Sequence, residues 1–399
     1  MKRRTLLKIA AGLGVLASVP YSLWQGLRYP RLTLERDPKP STIDNDLVNI
    51  DLVDCFQLRH AQANSDIAVR AYAPEPSLAI NQAQQDFILS VNNIARNASL
   101  VSNVSVSEQQ QGITRIIKIP KTMQPISLEW KLPADMENFN FTAIGDSGGD
   151  KELEWCIKRA HQLNSQFFLH LGDLNYADGD YENCIKLFHN APIPCYVTPG
   201  NHDFNDSGIV IDKFIDEIGP MNNSFSINGF KFINLDTAAS FLPVRGGSRA
   251  DLIDSIVNDK TQYTDSIVFS HRPFYDPRPD EDHDLGNDSE RDWLIENLKK
   301  AKIDTVLFGH IHIFNETVFK GIRSIIAGEG LAHSDLIVQK QIAKIVLGQV
   351  TKGQKVNYVF EDLLMPLEYH CHPRVKQFIN DFPDHPTAKK LAGKCLTDT

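Results

Sequence analysis

Five short polar motifs, each following an apolar run, constrain this chain more than any other feature of its sequence. Residues 141–144 run into Gly145-Asp146-Ser147-Gly148, residues 167–171 into Gly172-Asp173-Leu174-Asn175-Tyr176, and residues 195–197 lead to Gly200-Asn201-His202-Asp203. Residues 267–270 then deliver His271, and residues 305–308 deliver Gly309-His310-Ile311-His312. Helix-like segments at 151–163, 181–188 and 289–301 alternate with these strands. Asn228-Gly229 sits between β-like runs 224–227 and 230–235, a strong hairpin signal. The alternation predicts an α/β fold, and such folds gather their sites where polar loops leave the strand ends.

Singly, each motif has an ordinary reading. A Gly-Asp pair at a strand end makes a turn or a helix cap, and a lone histidine is more often a hydrogen-bonded core residue than a ligand. His310 and His312 stand at alternate positions, so an extended segment points both the same way. Tyr176 alone reads as an aromatic packed beside a turn. In this order, however, the five blocks over residues 145–312 resemble the signature of purple acid phosphatases, within the calcineurin-like metallophosphoesterases.

The resemblance implies a metallophosphoesterase-type sandwich of two mixed β-sheets flanked by helices, built around two metal ions. A carboxylate can offer one oxygen to each ion, and by resemblance Asp173 is that bridge. Asp146, Tyr176 and His312 would complete the shell of Fe3+, whose hard charge favours carboxylate and phenolate oxygen. Asn201, His271 and His310 would hold a divalent partner, Zn2+, Mn2+ or Fe2+, with neutral ligands. Tyr176 discriminates, because generic members of the superfamily lack a tyrosine here and bind two divalent ions. An iron-bound phenolate would colour the protein purple.

His202 is implied to face substrate, as a hydrogen-bond donor or the acid that protonates the leaving alkoxide, with Asp203 as its orienting carboxylate. His283 lies further past the fourth block than the family pattern has it. It either touches substrate or belongs to a solvated acidic loop with Asp280, Glu281, Asp282 and Asp284. Arg272 is either a phosphate clamp or a surface salt-bridge partner. The implied reaction is hydrolysis of phosphate monoesters by a metal-bound hydroxide, with no covalent intermediate. One rival is a phosphodiesterase or nucleotide pyrophosphatase using two divalent ions. Another is a non-catalytic exported binding protein that retains the metal cage.

Lys2-Arg3-Arg4-Thr5-Leu6-Leu7-Lys8 precedes a modestly apolar run. It resembles a bacterial twin-arginine export signal, although Lys2 stands where Ser or Thr is usual. The expected location is periplasmic or secreted, reached through the twin-arginine translocation machinery. An uncleaved segment would instead anchor the chain to the inner membrane. The expected organisation is signal or anchor 1–30, linker 31–45, a small β-rich N-terminal domain 46–135, a catalytic domain 136–365 and a C-terminal helical tail 366–399. Within the N-terminal domain, residues 79–94 also read as a helix. Net charge is −9, with 41 Lys and Arg against 50 Asp and Glu, so there is no broad basic stripe for a nucleic acid. An anionic phosphate ester must then meet local positive charge, which metal ions can supply. Six cysteines make no disulfide framework in a chain of this length. Cys55, Cys156, Cys184 and Cys195 read as core residues, and Cys371 and Cys395 as a pair that a bridge could join. His370-Cys371-His372 lacks the second ligand pair that a structural zinc site needs. The oligomeric state has no readable signal.

Overall fold

The computed structural model describes residues 41–59, 65–204, 209–238, 247–285, 288–332 and 342–396. The export segment and most of the linker lie outside these residues. No helix among the described residues is long and apolar enough to cross a membrane.

Strands fill the first third: β1 (Thr42–Asp44), β2 (Val48–Val53), β3 (Cys55–Gln57), β4 (Ile67–Ala71), β5 (Ser77–Ala83), β6 (Phe87–Asn92), β7 (Ser99–Ser102), β8 (Ser107–Gln111), β9 (Thr114–Ile119) and β10 (Ile126–Lys131). They form two five-stranded sheets, ordered β1-β2-β5-β10-β7 and β3-β4-β6-β9-β8. The segment 79–94 is therefore strand, not helix. Leu78 and Ile80 of β5, like Leu89 and Val91 of β6, are buried two residues apart, a period that suits a pleated sheet. The glutamine-rich stretch forms the exposed edge strand β8, where polar side chains discourage edge-to-edge pairing.

The remaining strands are β11 (Asn138–Ile144), β12 (Ser165–His170), β13 (Cys195–Val197), β14 (Asn223–Ile227), β15 (Phe230–Asn234), β16 (Asp265–Phe269), β17 (Thr305–Phe308), β18 (Phe314–Phe319), β19 (Ile322–Ala327), β20 (Lys344–Thr351) and β21 (Asn357–Asp362). One sheet is ordered β13-β12-β11-β20-β21, the other β14-β15-β16-β17-β19-β18. Both are mixed: β11, β12 and β13 run parallel, as do β15, β16, β17 and β19, with antiparallel strands at the margins. The two sheets meet through aromatic rings. Phe232 stands edge-on to Phe141 at 5.2 Å and to Phe167 at 5.1 Å between centroids, an arrangement that suits the ring quadrupoles. Gly348 of β20 makes room for this layer, since a Cβ there would lie 2.2 Å from the Phe141 ring.

Helices α1 (Lys151–Gln162), α2 (Asp180–His189) and α3 (Ile209–Glu217) cover the first sheet, and α4 (Gly247–Asn258) and α5 (Asp288–Lys300) the second. The tail holds α6 (Leu367–His370), α7 (Pro373–Asp381) and α8 (Pro386–Cys395). The expected hairpin joins β14 to β15, with Asn228 and Gly229 both at positive φ. A second hairpin, β18–β19, turns on Lys320 and Gly321 in the same backbone region. The sequence reading passed over it. Cys55, Cys156, Cys184 and Cys195 are buried thiols, and Cys371 is bonded to Cys395.

A polar strap fastens the N-terminal sandwich to the sheets that follow it. Arg70 of β4 is fully buried. Its Nε donates to Ile218 O at 3.0 Å, its Nη2 to Cys195 O at 3.3 Å, and its Nη1 to Asn92 Oδ1. Asn93 adds a reciprocal pair with Cys195, accepting from its N–H at 2.9 Å and donating to its carbonyl at 3.1 Å. Beside this strap, His189 shares its Nε2 proton with Glu217 O at 3.1 Å. Burial, then repulsion from Arg70, lowers its pKa from 6.5 to about 3.

Replacing Arg70 by Met removes the donors but leaves buried carbonyls behind. We expect a loss of about 3–5 kcal/mol in unfolding free energy by urea titration, and a loss under about 1 kcal/mol would mean that the strap is dispensable. His189 stays neutral in the fold while the unfolded chain takes up a proton below pH 6.5. Stability should therefore fall as pH drops from 6.5 towards 3. His189→Gln, which keeps a donor, should make that limb shallower by up to about 1.4 kcal/mol per pH unit. An unchanged slope would show that His189 is not held neutral.

Candidate metal centre

The five motifs converge where both sheets present the carboxyl ends of their parallel strands. Asp146, Asp173 and Asn201 follow β11, β12 and β13 of one sheet, whereas His271, His310 and His312 follow β16 and β17 of the other. The loops interlock by backbone bonds: Asp146 N–H donates to Gly172 O at 2.8 Å, and Gly148 N–H to Asp173 O at 3.1 Å. Asp146, Asp173 and His310 all have φ between 61° and 68°. That left-handed conformation is uncommon for residues with a Cβ and concentrates at functional sites. Glycines allow the crowding, since a Cβ on Gly200 would lie 2.1 Å from both Asp173 N and Asp173 Oδ1.

Two sets of ligating atoms result, Asp173 with His271 and His310, and Asp146 with Asp173 and His312. Within each set the atoms lie within 4.8 Å of one another. Asp173 belongs to both. The Tyr176 hydroxyl joins the second set, 3.1 Å from Asp173 Oδ2 and 3.1 Å from His312 Nε2. Asn201 joins the first, its Oδ1 2.9 Å from His271 Nε2. All seven residues read from the motifs thus face one small volume.

The chemistry of these donors fits cations. His271 Nδ1 lies 2.7 Å from Leu171 O, which can only accept, so in the neutral ring Nδ1 carries the proton. His271 Nε2 then directs a lone pair at two acceptor oxygens, Asn201 Oδ1 at 2.9 Å and Asp173 Oδ1 at 3.3 Å. Lone pairs facing one another repel unless a positive charge lies between them, either a bound cation or a proton taken up by Nε2. Both ring nitrogens of His310 are buried without a hydrogen-bond partner, a loss of about 1–3 kcal/mol each if nothing binds there. Asp146 and Asp173 are 0% and 1% exposed, and neither pairs with a Lys or Arg among the described residues. Burial pushes the Asp146 carboxyl up, only partly offset by His312. Burial also raises Asp173, but His271 and the His202 N–H outweigh it and hold its carboxyl below the usual range. The Tyr176 phenol is pushed far up, first by burial and then by the two carboxylates. A bound cation would reverse that balance.

The three residues read as catalytic have different surroundings. His202 is exposed at the mouth, with its ring centroid 4.6 Å from that of Tyr176 and its backbone N–H donating to Asp173 Oδ1 at 2.9 Å. Asp203 does not serve as the carboxylate that orients the His202 ring. It is fully buried, and its oxygens accept from Leu174 N at 3.0 Å and Gly200 N at 2.7 Å, bracing the second and third loops. Burial, then Asp173, raises its carboxyl to about 8. His283 lies in the acidic loop, its Nδ1 3.3 Å from Glu281 and 3.6 Å from Asp276, and its ring centroid is 6.0 Å from that of His310. Arg272 is half-buried rather than paired at the surface, and its Nε donates to Ala238 O at 3.1 Å.

Sequence reasoning missed several supports. His170 accepts from Gly172 N at 3.2 Å and bonds Ser147 Oγ at 2.8 Å, joining the first two loops from behind. Asp276 gathers Arg278 and the His283 N–H into one turn. The Ser147 partner of His170 lies 23 positions away, outside any local pattern, whereas the Asp276 turn is local and was passed over. The segment 370–372 is no metal site: Cys371 is in the disulfide, and His372 pairs with Glu152 at 3.3 Å and Asp150 at 3.6 Å.

Residues 139–314 match the family model described as calcineurin-like phosphoesterase. The chain is 26% identical over 211 residues to purple acid phosphatase 22 of Arabidopsis thaliana, a match covering 46% of each protein. It thus spans less than half the length of that curated relative. Among solved structures, a purple acid phosphatase from yellow lupin (Lupinus luteus) seeds superposes with a TM-score of 0.48 and 13% identity, over 73% of this chain and 70% of that one. The inner-membrane-complex anchor GAP50 of Plasmodium gives a TM-score of 0.41 and 14% identity, over 57% and 85%. The converging strand-end motifs and the family match agree: over residues 139–314, this chain carries a calcineurin-like metallophosphoesterase domain.

Proposed function

We propose that this protein is an exported binuclear metallophosphatase of the purple acid phosphatase type that hydrolyses phosphate monoesters. The observation that carries the reading is the Tyr176 hydroxyl, 3.1 Å from both Asp173 Oδ2 and His312 Nε2. A phenolate there suits a trivalent ion better than a divalent one. On this reading Asp146, Asp173, Tyr176 and His312 hold Fe3+, and Asp173, Asn201, His271 and His310 hold Zn2+, Mn2+ or Fe2+. When bound, such a pair supplies Lewis acidity towards the phosphate and makes water acidic enough to attack phosphorus at mild pH.

The chain's own groups do the rest. Leu171 O keeps the proton of His271 on Nδ1, so its Nε2 stays a ligand. His202, open to solvent at the rim, can donate an imidazole N–H to a phosphoryl oxygen or the departing alkoxide. Arg272, fixed through Nε, has further N–H groups, and its charge acts on His310, whose pKa it helps to lower. A planar guanidinium there suits a phosphate oxygen. Export is supported by the Lys2-Arg3-Arg4 segment and by the Cys371–Cys395 disulfide, a bond favoured outside the reducing cytoplasm.

Metal analysis with a visible spectrum on exported protein tests the assignment. An active enzyme that is colourless and free of iron would belong with diesterases or nucleotide pyrophosphatases using two divalent ions. Asp173→Ala is expected to lose both ions and all aryl phosphate turnover, and retention of two ions per chain would contradict the shared-ligand role. Tyr176→Phe should abolish the purple colour while keeping part of the divalent-metal activity. Colour that persists unchanged would remove Tyr176 from the ligand set.

A further inference from the structure

The C-terminal tail reaches the metal centre through one side chain. The Cys371–Cys395 disulfide closes the segment that holds α7 and α8, which share a small core of their own around Ile379 and Leu391. From the first turn of α7, Arg374 pairs with Asp180 at the start of α2. Its Nη2 donates to Asp178 O at 3.0 Å, and its Nε lies 3.4 Å from Asp150 Oδ2. Asp180 is only 3% exposed. Its second oxygen accepts from Tyr176 N at 3.0 Å and Ala177 N at 2.8 Å. One guanidinium thus pulls on a carboxylate that holds the two amides at Tyr176. The loop after β11 is pressed against the same point, because a Cβ on Gly149 would lie 2.0 Å from Asp180 O. Arg374 therefore sets the loop of Asp146 against the loop of Tyr176.

We propose that Arg374 is a positioning residue for Tyr176, through which the disulfide-closed tail holds the phenol against Asp146 and Asp173. The consequence for iron rests on the phosphatase reading above, but the placement of Tyr176 does not. The charge-assisted contact is partly shielded from water, so its loss should be visible locally rather than as global unfolding.

The test is amide hydrogen exchange on the full-length, metal-free protein. In Arg374→Ala, exchange at Tyr176 and Ala177 should accelerate about ten-fold or more, with the interior of β12 unchanged. Arg374→Lys keeps the charge and should give intermediate protection. Unchanged exchange at Tyr176 and Ala177, or equal acceleration throughout β12, would overturn the proposal. In iron-loaded protein the Arg374→Ala substitution should also shift or broaden the visible band, with partial recovery in Arg374→Lys. A wild type without colour would refute the iron assignment, and the exchange data would still decide the role of Arg374.

Discussion

The carboxylate of Asp173 lies where two sets of ligating atoms overlap, and the centre is arranged around the difficulty of keeping it there. Removing a carboxylate from water costs several kcal/mol unless charge and hydrogen bonds compensate. Asp173 receives the His202 N–H and the Tyr176 hydroxyl and stands beside His271, while the equally buried Asp146 takes the His310 N–H. Both ring nitrogens of His310 are left without a partner, and His271 Nε2 faces oxygen acceptors. Bound cations would relieve this surplus of acceptors.

Holding them requires a rigid frame, because each comes from a different strand end. The aromatic layer of Phe141, Phe167 and Phe232 fixes one sheet against the other, and so fixes the distance between the Asp146–Asp173–Asn201 edge and the three histidines. Interlocked backbone bonds between the Gly145, Gly172 and Gly330 segments then remove most of the remaining freedom. The hydrophobic core continues from this layer into the N-terminal sandwich, so that Trp130 and Phe141 belong to one cluster. Arg70 adds direction to that contact, since its bonds to Ile218 and Cys195 carbonyls allow only one docking of β4.

The side of the centre bearing Tyr176 is built differently. Its loop is not covered by a strand but bracketed by Asp180, whose partner Arg374 belongs to the tail. A peripheral element with its own small core thereby touches the backbone at Tyr176, a candidate ligand. Trp155 and Tyr369, 5.1 Å apart between centroids, and the Lys158 bond to the Tyr369 hydroxyl dock the same tail on α1.

Much of this was legible in the chain itself. The alternation of apolar strands and helices around residues 141–308 reports burial directly, and Asn228-Gly229 announces its hairpin because few other pairs tolerate that turn. The candidate ligands could be named because the five blocks, in this order, resemble the purple acid phosphatase signature. The N-terminal strands were harder: β5 and β6 lie close enough in sequence to imitate one helix, and only their sheet neighbours decide otherwise. The role of Asp203 also escaped, because its backbone partner Leu174 lies 29 positions away on another loop. Sequence alone determined the chemical inventory and its order, since residue identity and local periodicity are properties of short segments. Only the tertiary structure decided which backbone groups Asp203 braces, which imidazole nitrogen carries its proton and which arginine steadies Tyr176, because those depend on distances between segments that the chain leaves far apart.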